Sequence, residues 1–283
     1  WGDIAAFGNY VFANEQIADG GTANGVIRFD ARDLTFQRFS DGFGLPTDLT
    51  VGLDGLLYTL NATVNNTTIL VHNPETMALV RAVNVAQRLQ SIAVDEEGKL
   101  YAVTDTGLKR YTADGVLEAS EPAVNGLDIV ISRDRELIVT TDMRVTRLDT
   151  SFATLGVFSL PGSVAENFLS FAAFVQDPPG DVPDGGGINY GVLQPGNILV
   201  ANSPRTGGPA TLYEYTPSGQ LVPGHEFLLP VYESGGARDL VTDALGNVQI
   251  FNGTFAPRLT TFDSHAAGFV PEEVQFAGWS SAD

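Results

Sequence analysis

Four carboxylates and two hydroxyls recur at one point of an internal repeat: Asp3, Asp48, Ser91, Asp128, Ser170 and Asp239. Each opens a short apolar run, with DLTV at 48–51 and DIVI at 128–131 the plainest. If the fold gathers these runs, the oxygens converge into a hard donor set of the kind that takes Ca2+ or Mg2+. Asp3, Asp48, Asp128 and Asp239 are the metal candidates. An Asp ahead of a strand has a second and commoner role, in which its oxygens accept N–H groups of its own strand or the next one. Water and monovalent ions then balance the charge. Both roles are open from sequence alone.

A second recurring set closes the run that follows: Asn14, Asn61, Asp105, Asp142, Asn202 and Asn252. Asn and Asp mimic a backbone turn and tolerate left-handed geometry, so a shared turn is expected at these places. A third candidate is the segment 175–196, VQDPPGDVPDGGGINYGVLQPG. Its carboxylates Asp177, Asp181 and Asp184 are spaced four and three apart, unlike the alternate-residue ligands of an EF-hand. Loops of this length tend to be functional or mobile, so a protrusion that contacts a partner is expected. Trp1 and Trp279 are the only tryptophans, and either pack near the chain ends or serve as contact anchors.

The histidines, His72, His225 and His265, fall at outer positions and read as ordinary surface residues. No serine sits in a G-x-S-x-G elbow. Gly20-Gly21 lacks the strand and helix that flank a phosphate-binding turn. Asn61, Asn65, Asn66 and Asn252 each head an N-x-S/T triplet and are candidate glycosylation acceptors.

The elements that must position these residues are short strands. DIAAFGNYVFAN at 3–14, DLTVGLDGLLYTLN at 48–61, SIAVDEEGKLYAVTD at 91–105, DIVISRDRELIVTTD at 128–142 and DLVTDALGNVQIFN at 239–252 all read strand, turn, strand. The fifth copy starts as SFAAF at 170 and resumes as GNILVAN, ending at 202. The starts lie 37 to 45 residues apart, except for one step of 69 that carries the insert. Two further strand-like runs follow each copy, such as GVIRFD then LTFQRF, or TLYEYT then QLVPGHEFLLP. A period near 40 built of short strands is the mark of a propeller blade. The fold class is therefore all-β, a six-bladed β-propeller of four-stranded antiparallel blades in one domain. The blades are expected near 1–46, 47–88, 89–125, 126–166, 167–236 and 237–283. No segment keeps a helical period, and Glu75–Gln87 reads as a turn followed by a strand.

The bulk numbers narrow the partners. With 34 acidic against 15 basic residues the formal charge is −19, which disfavours nucleic acid. No run of 18 apolar residues is present to span a membrane. There is no cysteine, so disulfides and thiolate chemistry are excluded. The start at Trp1, the sequons and the acidic, Lys-poor surface are consistent with an extracellular or cell-surface location after signal removal.

The stretch Ile92–Val103, IAVDEEGKLYAV, resembles the NHL-type and related six-bladed propeller families, which include gluconolactonase-like and antibiotic-lyase-like members. The resemblance covers the chain as architecture and specifies a blade, not an activity. It implies that any bound metal sits near the channel mouth. It also implies histidines at that mouth in lyase-type members, and a convergent Glu, Asn and Asp set in gluconolactonase-like ones. Here no histidine opens a blade, and the Glu cannot be identified. The sequence is accordingly expected to encode a non-catalytic extracellular propeller, a structural scaffold or self-assembling subunit whose partners are proteins. The alternatives are a metal-dependent lyase or lactone hydrolase at the channel mouth, and a peptide- or glycan-binding module.

Overall fold

Runs of β-branched, aromatic and small residues, broken every few positions by Asp, Asn, Thr and Gly, favour strands and tight turns. The computed structural model describes residues 3–15, 25–33, 35–39, 42–44, 46–141, 144–160, 168–176, 188–204, 210–229, 237–252, 258–265 and 271–275. Among these residues lie 24 strands and no helix. Blade 1 holds β1 (Ile4–Phe7), β2 (Tyr10–Glu15), β3 (Gly25–Asp30) and β4 (Phe36–Phe39). Blade 2 holds β5 (Asp48–Val51), β6 (Leu57–Ala62), β7 (Thr67–His72) and β8 (Leu79–Val85). Blade 3 holds β9 (Leu89–Val94), β10 (Leu100–Thr104), β11 (Gly107–Tyr111) and β12 (Leu117–Glu121). Blade 4 holds β13 (Asp128–Ile131), β14 (Glu136–Thr140), β15 (Arg144–Asp149) and β16 (Thr154–Ser159). Blade 5 holds β17 (Phe168–Phe174), β18 (Ile198–Pro204), β19 (Thr211–Tyr215) and β20 (Leu221–Leu228). Blade 6 holds β21 (Ala237–Thr242), β22 (Val248–Asn252), β23 (Arg258–Phe262) and β24 (Pro271–Gln275).

Every sheet is an antiparallel meander of four consecutive strands. The first strand of each blade touches the first strand of the next, and β21 touches β1, so the ring closes without a shared strand. Six apolar clusters fill the six gaps between blades. Leu60 and Ile69 of blade 2 meet Leu89 and Ile92 of blade 3. Ile27 and Phe29 of blade 1 meet Phe251 and Leu259 of blade 6. Each such side chain contributes about 1.5–3 kcal/mol on full burial, so packing between blades dominates the stability.

The repeated wording D-x-x-G, at 95–98 and 243–246, is a turn device. Asp95 Oδ1 accepts the N–H groups of Glu97 and Lys99 at 3.0 and 2.9 Å, and its Oδ2 accepts the Tyr101 hydroxyl at 3.1 Å. Asp243 repeats this with Leu245, Asn247 and the Gln249 side chain.

The insert departs from expectation in its second half. Tyr190 and Leu193 are buried in the core between blades 5 and 6, and Val192 N–H donates to the Ser264 carbonyl at 2.9 Å. These residues cover a gap instead of projecting, because their apolar surface is stabilised by burial. Asp177, Asp181 and Asp184, like Trp1 and Trp279, lie outside the described residues.

Gly246 tests this docking. Its φ is 82°, and a Cβ there would stand 2.2 Å from the Asn189 carbonyl oxygen. Gly196 has a similar φ of 87° with nothing within 4 Å. Gly246→Ala should therefore cost about 3 kcal/mol and Gly196→Ala about 1 kcal/mol, the difference being the clash with the insert. Urea unfolding of the two variants measures both, and equal losses would show that 188–196 does not rest on blade 6.

Candidate active site at the mouth of the central channel

The first strand of each blade is a sheet edge, and its axial N–H groups need partners from elsewhere. The blade-start residues supply them across the ring. Asp239 Oδ2 accepts the N–H of Ile4 at 2.8 Å, tying blade 6 to blade 1. Asp48 Oδ2 accepts the N–H of Ile92 at 3.0 Å, and Asp128 Oδ2 that of Ala172 at 3.3 Å. Ser91 Oγ accepts the Ile129 N–H at 3.4 Å and donates to Asp128 Oδ1 at 3.0 Å. The second oxygens of Asp128 and Asp239 accept the N–H groups of Ile129 and Leu240, their own next residues. Blade 5 is offset by one residue from the sequence alignment. Ala172 takes the bond from Asp128, so Phe171 holds the place expected for Ser170.

Asp3 is held differently. Its N–H donates to Asn14 Oδ1 at 2.9 Å, while Asn14 Nδ2 donates to Asp3 Oδ2 and to the Pro46 carbonyl, each at 3.3 Å. Asn14 therefore lies in strand β2 as a buried clamp, not in a turn. Asn61 and Asn202 likewise sit inside β6 and β18, which corrects the shared-turn expectation for these three. Strand pairing continues past them, so their side chains turn inward. Asn61 shows both side-chain polar atoms buried, packed against Gly44. Its amide cannot be reached in the folded chain, which removes it as a glycosylation acceptor. Asn65 and Asn66 lie exposed between β6 and β7, and the side chain of Asn252 is outside the described residues.

Burial holds all four ring carboxyls above the ordinary carboxylate range, and neighbouring like charge adds to this at Asp3, Asp48 and Asp239. For Asp3, desolvation first and the Asp128 charge second push the value up to about 7, against the Asn14 hydrogen bond and the Arg238 charge. Desolvation, then the Asp3 and Asp128 charges, place Asp48 well above that range. Asp239 is raised in the same way, with the Asp128 charge acting more strongly than that of Asp3, and Asp128 is raised by burial.

The ring forms the floor of a mouth cavity of about 270 Å3, beyond which the channel encloses about 110 Å3 between small apolar residues such as Ala5, Ala6 and Ala93. Two β-bulges shape the mouth. Register slips bulge Gln90 out of the β9–β10 ladder and Arg238 out of the β21–β22 ladder, and both side chains line the cavity. Bulges of this kind re-aim a side chain beside a site. Arg88 and Phe171 line it as well. Sequence reasoning missed these four residues. The available signal was position, since they lie at or within three residues of a blade start.

The histidines are elsewhere. His72, read as a surface residue, is 1% exposed and stacks on Phe43 at 4.1 Å, because β7 turns it into the gap between blades 1 and 2. His225 Nδ1 pairs with Glu214, a fully buried carboxylate that also accepts from Gln194 N–H and the Asn197 amide at 2.8 Å. His265 is exposed beside Asp263. Among the described residues, no three His, Asp or Glu side chains group closely enough to hold a metal ion. Both oxygens of Asp128 and Asp239 are also engaged by N–H donors. The donor set does not fit the expected Ca2+ or Mg2+.

The chain resembles solved propellers over nearly its whole length. Virginiamycin B lyase from Staphylococcus aureus matches at 13% identity and a TM-score of 0.54, covering 98% of this chain and 84% of that one. A streptogramin B lyase matches at 14% and 0.56, covering 97% and 82%. Kuenenia stuttgartiensis hydrazine synthase matches at 15% and 0.53, covering 92% and 76%. The chain is a six-bladed β-propeller. At these identities the likeness shows the fold and not a shared activity. No protein-family profile and no curated protein matches the sequence. The expectation of a non-catalytic, self-assembling scaffold is corrected: the matching propellers include lyases, and the mouth gathers four carboxyls whose proton affinity is raised.

The ring fixes the sign of the pH dependence. A carboxyl raised in the fold binds its proton more tightly folded than unfolded. Its stabilising contribution is full below the ordinary value of about 4 and is lost as pH rises through the folded value, about 7 for Asp3. The melting temperature should therefore fall between about pH 5 and about pH 8, and Asp48→Asn should flatten that fall and raise the melting temperature at the upper pH. Calorimetry at low salt reads both, and a wild-type curve no steeper than the variant's would contradict the protonated ring.

Proposed function

We propose that the channel mouth opens small-molecule esters, by lactone hydrolysis or by elimination, with Asp3 moving the proton. One observation carries this reading: a half-buried carboxyl pushed up to about 7 at the floor of a small-molecule-sized cavity. General bases work best when their proton affinity lies near the working pH. Functional sites are also where burial and like charges are combined to shift such groups. The cavity volume lies just under the range of about 300–1,000 Å3 usual for small ligands, too small for a folded partner.

In hydrolysis, a water oxygen attacks the ester carbonyl carbon while the Asp3 carboxylate takes the water proton. The ring C–O bond then breaks, and the departing alkoxide takes that proton back. In elimination, Asp3 takes a proton from the carbon next to the C–O bond. That electron pair forms the new double bond and the carboxylate leaves. Asn14 orients the base in both routes, holding Oδ2 and the backbone of the same residue. The Arg88 and Arg238 guanidiniums line the cavity where negative charge develops, a placement that stabilises transition states. The two lyases among the matching folds support the class without assigning a substrate.

Asp3→Asn should lower kcat on a lactone or aryl ester by about 10²–10⁴-fold. The wild-type rate should rise through a midpoint near the Asp3 value, about 7. The Asn14 hydrogen bond favours the charged carboxylate, so Asn14→Ala should move that midpoint upward. A panel of lactones and aryl esters assayed across pH reads all three. Turnover of none of them, or full activity in Asp3→Asn, would end the proposal.

A further inference from the structure

We infer that the mouth is a receptor for a single carboxylate, gripped by Arg88 and Arg238, with Leu89, Leu127 and Phe171 covering an apolar body. This rests on the ester-opening reading, since both of its routes release a carboxylate. Arg88 stands just ahead of β9 in blade 3, and Arg238 is the bulged residue of β21 in blade 6. Blades 3 and 6 are three steps apart in a ring of six, so the two guanidiniums reach the cavity from opposite sides.

Arg88 brings a positive charge to the mouth of a chain of net charge −19. Several arginines are tied to carboxylates, Arg110 to Glu118, Arg135 to Glu96 and Arg147 to Glu136, and Arg28 bonds the Pro74 and Glu75 carbonyls. Arg88 makes no ion pair or side-chain hydrogen bond among the described residues, although acidic side chains outnumber basic ones. A guanidinium presents paired donors that match a carboxylate in a forked bond. The floor below it sets the charge of the ligand. Asp3, Asp48 and Asp128 line the same cavity. Once ionised they repel a dianion strongly, and while protonated they donate hydrogen bonds to a monoanion. Phosphate is therefore disfavoured, and the three apolar residues favour a ligand with a hydrocarbon portion.

Calorimetric titration of the full chain with hexanoate, hexanamide and inorganic phosphate near neutral pH tests this. Hexanoate should bind about 10-fold or more tightly than either of the others, since the forked ionic bond is absent from one and the apolar contact from the other. Arg88→Gln should weaken hexanoate by a similar factor, and Arg88→Lys should recover part of it, a point charge without the fork. Arg88 is exposed, so circular dichroism of these variants should be unchanged. Hexanamide or phosphate binding as tightly as hexanoate overturns the inference, as does hexanoate binding unchanged in Arg88→Gln or absent from the wild type. The Asp3→Asn variant separates the two proposals. Hexanoate binding should survive in it while turnover is lost. Asp3-dependent turnover without hexanoate binding removes only the carboxylate receptor, and binding without turnover in the wild type removes only the ester-opening reading.

Discussion

The fold turns on one problem of backbone chemistry. Six sheets packed around an axis leave six edge strands facing each other across a narrow channel, each with N–H groups that no sheet neighbour can satisfy. Leaving such a donor buried and unpaired costs about 1–3 kcal/mol, whereas a hydrogen bond made contributes only about 0.5–1.5 kcal/mol net. The chain meets the demand with side chains from the adjacent blade. Asp239 serves Ile4, Asp48 serves Ile92, Ser91 serves Ile129 and Asp128 serves Ala172. These bonds are individually modest beside the apolar clusters between blades. Their weight lies in register, because each fixes the height of one inner strand against the next at the point where the ring closes.

That solution has an electrostatic consequence. Four carboxyls are gathered where water is scarce, and desolvation and like charge both oppose their ionisation. The ring is therefore a store of protons as well as a set of caps. An acceptor of backbone N–H groups keeps much of its capping role when protonated, so the structure tolerates what would otherwise be a severe repulsion. Ser91 and Phe171, which bring no charge to two of the six places, limit the repulsion further.

The blades were legible because their cause is local. Alternating apolar residues, Asp and Gly at the turns, and a repeat near 40 all lie within one blade, and third strands such as Gly25–Asp30 and Arg144–Asp149 form where their runs predict. The four aspartates of the mouth were also legible, as a recurring position. What the sequence could not carry was register. Phe171 displaces Ser170 by one residue, and the bulges at Gln90 and Arg238 depend on pairing that no single strand encodes. Asn14 was read as a turn residue because Asn serves turns so often. Its actual duty depends on Asp3 lying directly opposite across two strands. His72 and Tyr190 failed for the same reason. Their burial comes from a neighbouring blade or from an insert folding back, and neither leaves a mark in the local pattern.

The same contacts set Asp3 apart from the other three ring carboxyls. Asp48, Asp128 and Asp239 each hold an N–H group of the next blade, so their oxygens are committed to the ring. Asp3 is held by Asn14 within its own blade. It also feels the charge of Asp128, which raises its proton affinity, while the Asn14 hydrogen bond and then the Arg238 charge lower it. A group pulled in both directions settles near neutral pH, where it changes state most easily. The capping ring thus raises Asp3, and the Asn14 hydrogen bond, with the Arg238 charge behind it, holds that rise back. Backbone capping and raised proton affinity share one set of residues here because the axis of the propeller combines desolvation with edge-strand N–H groups that need partners.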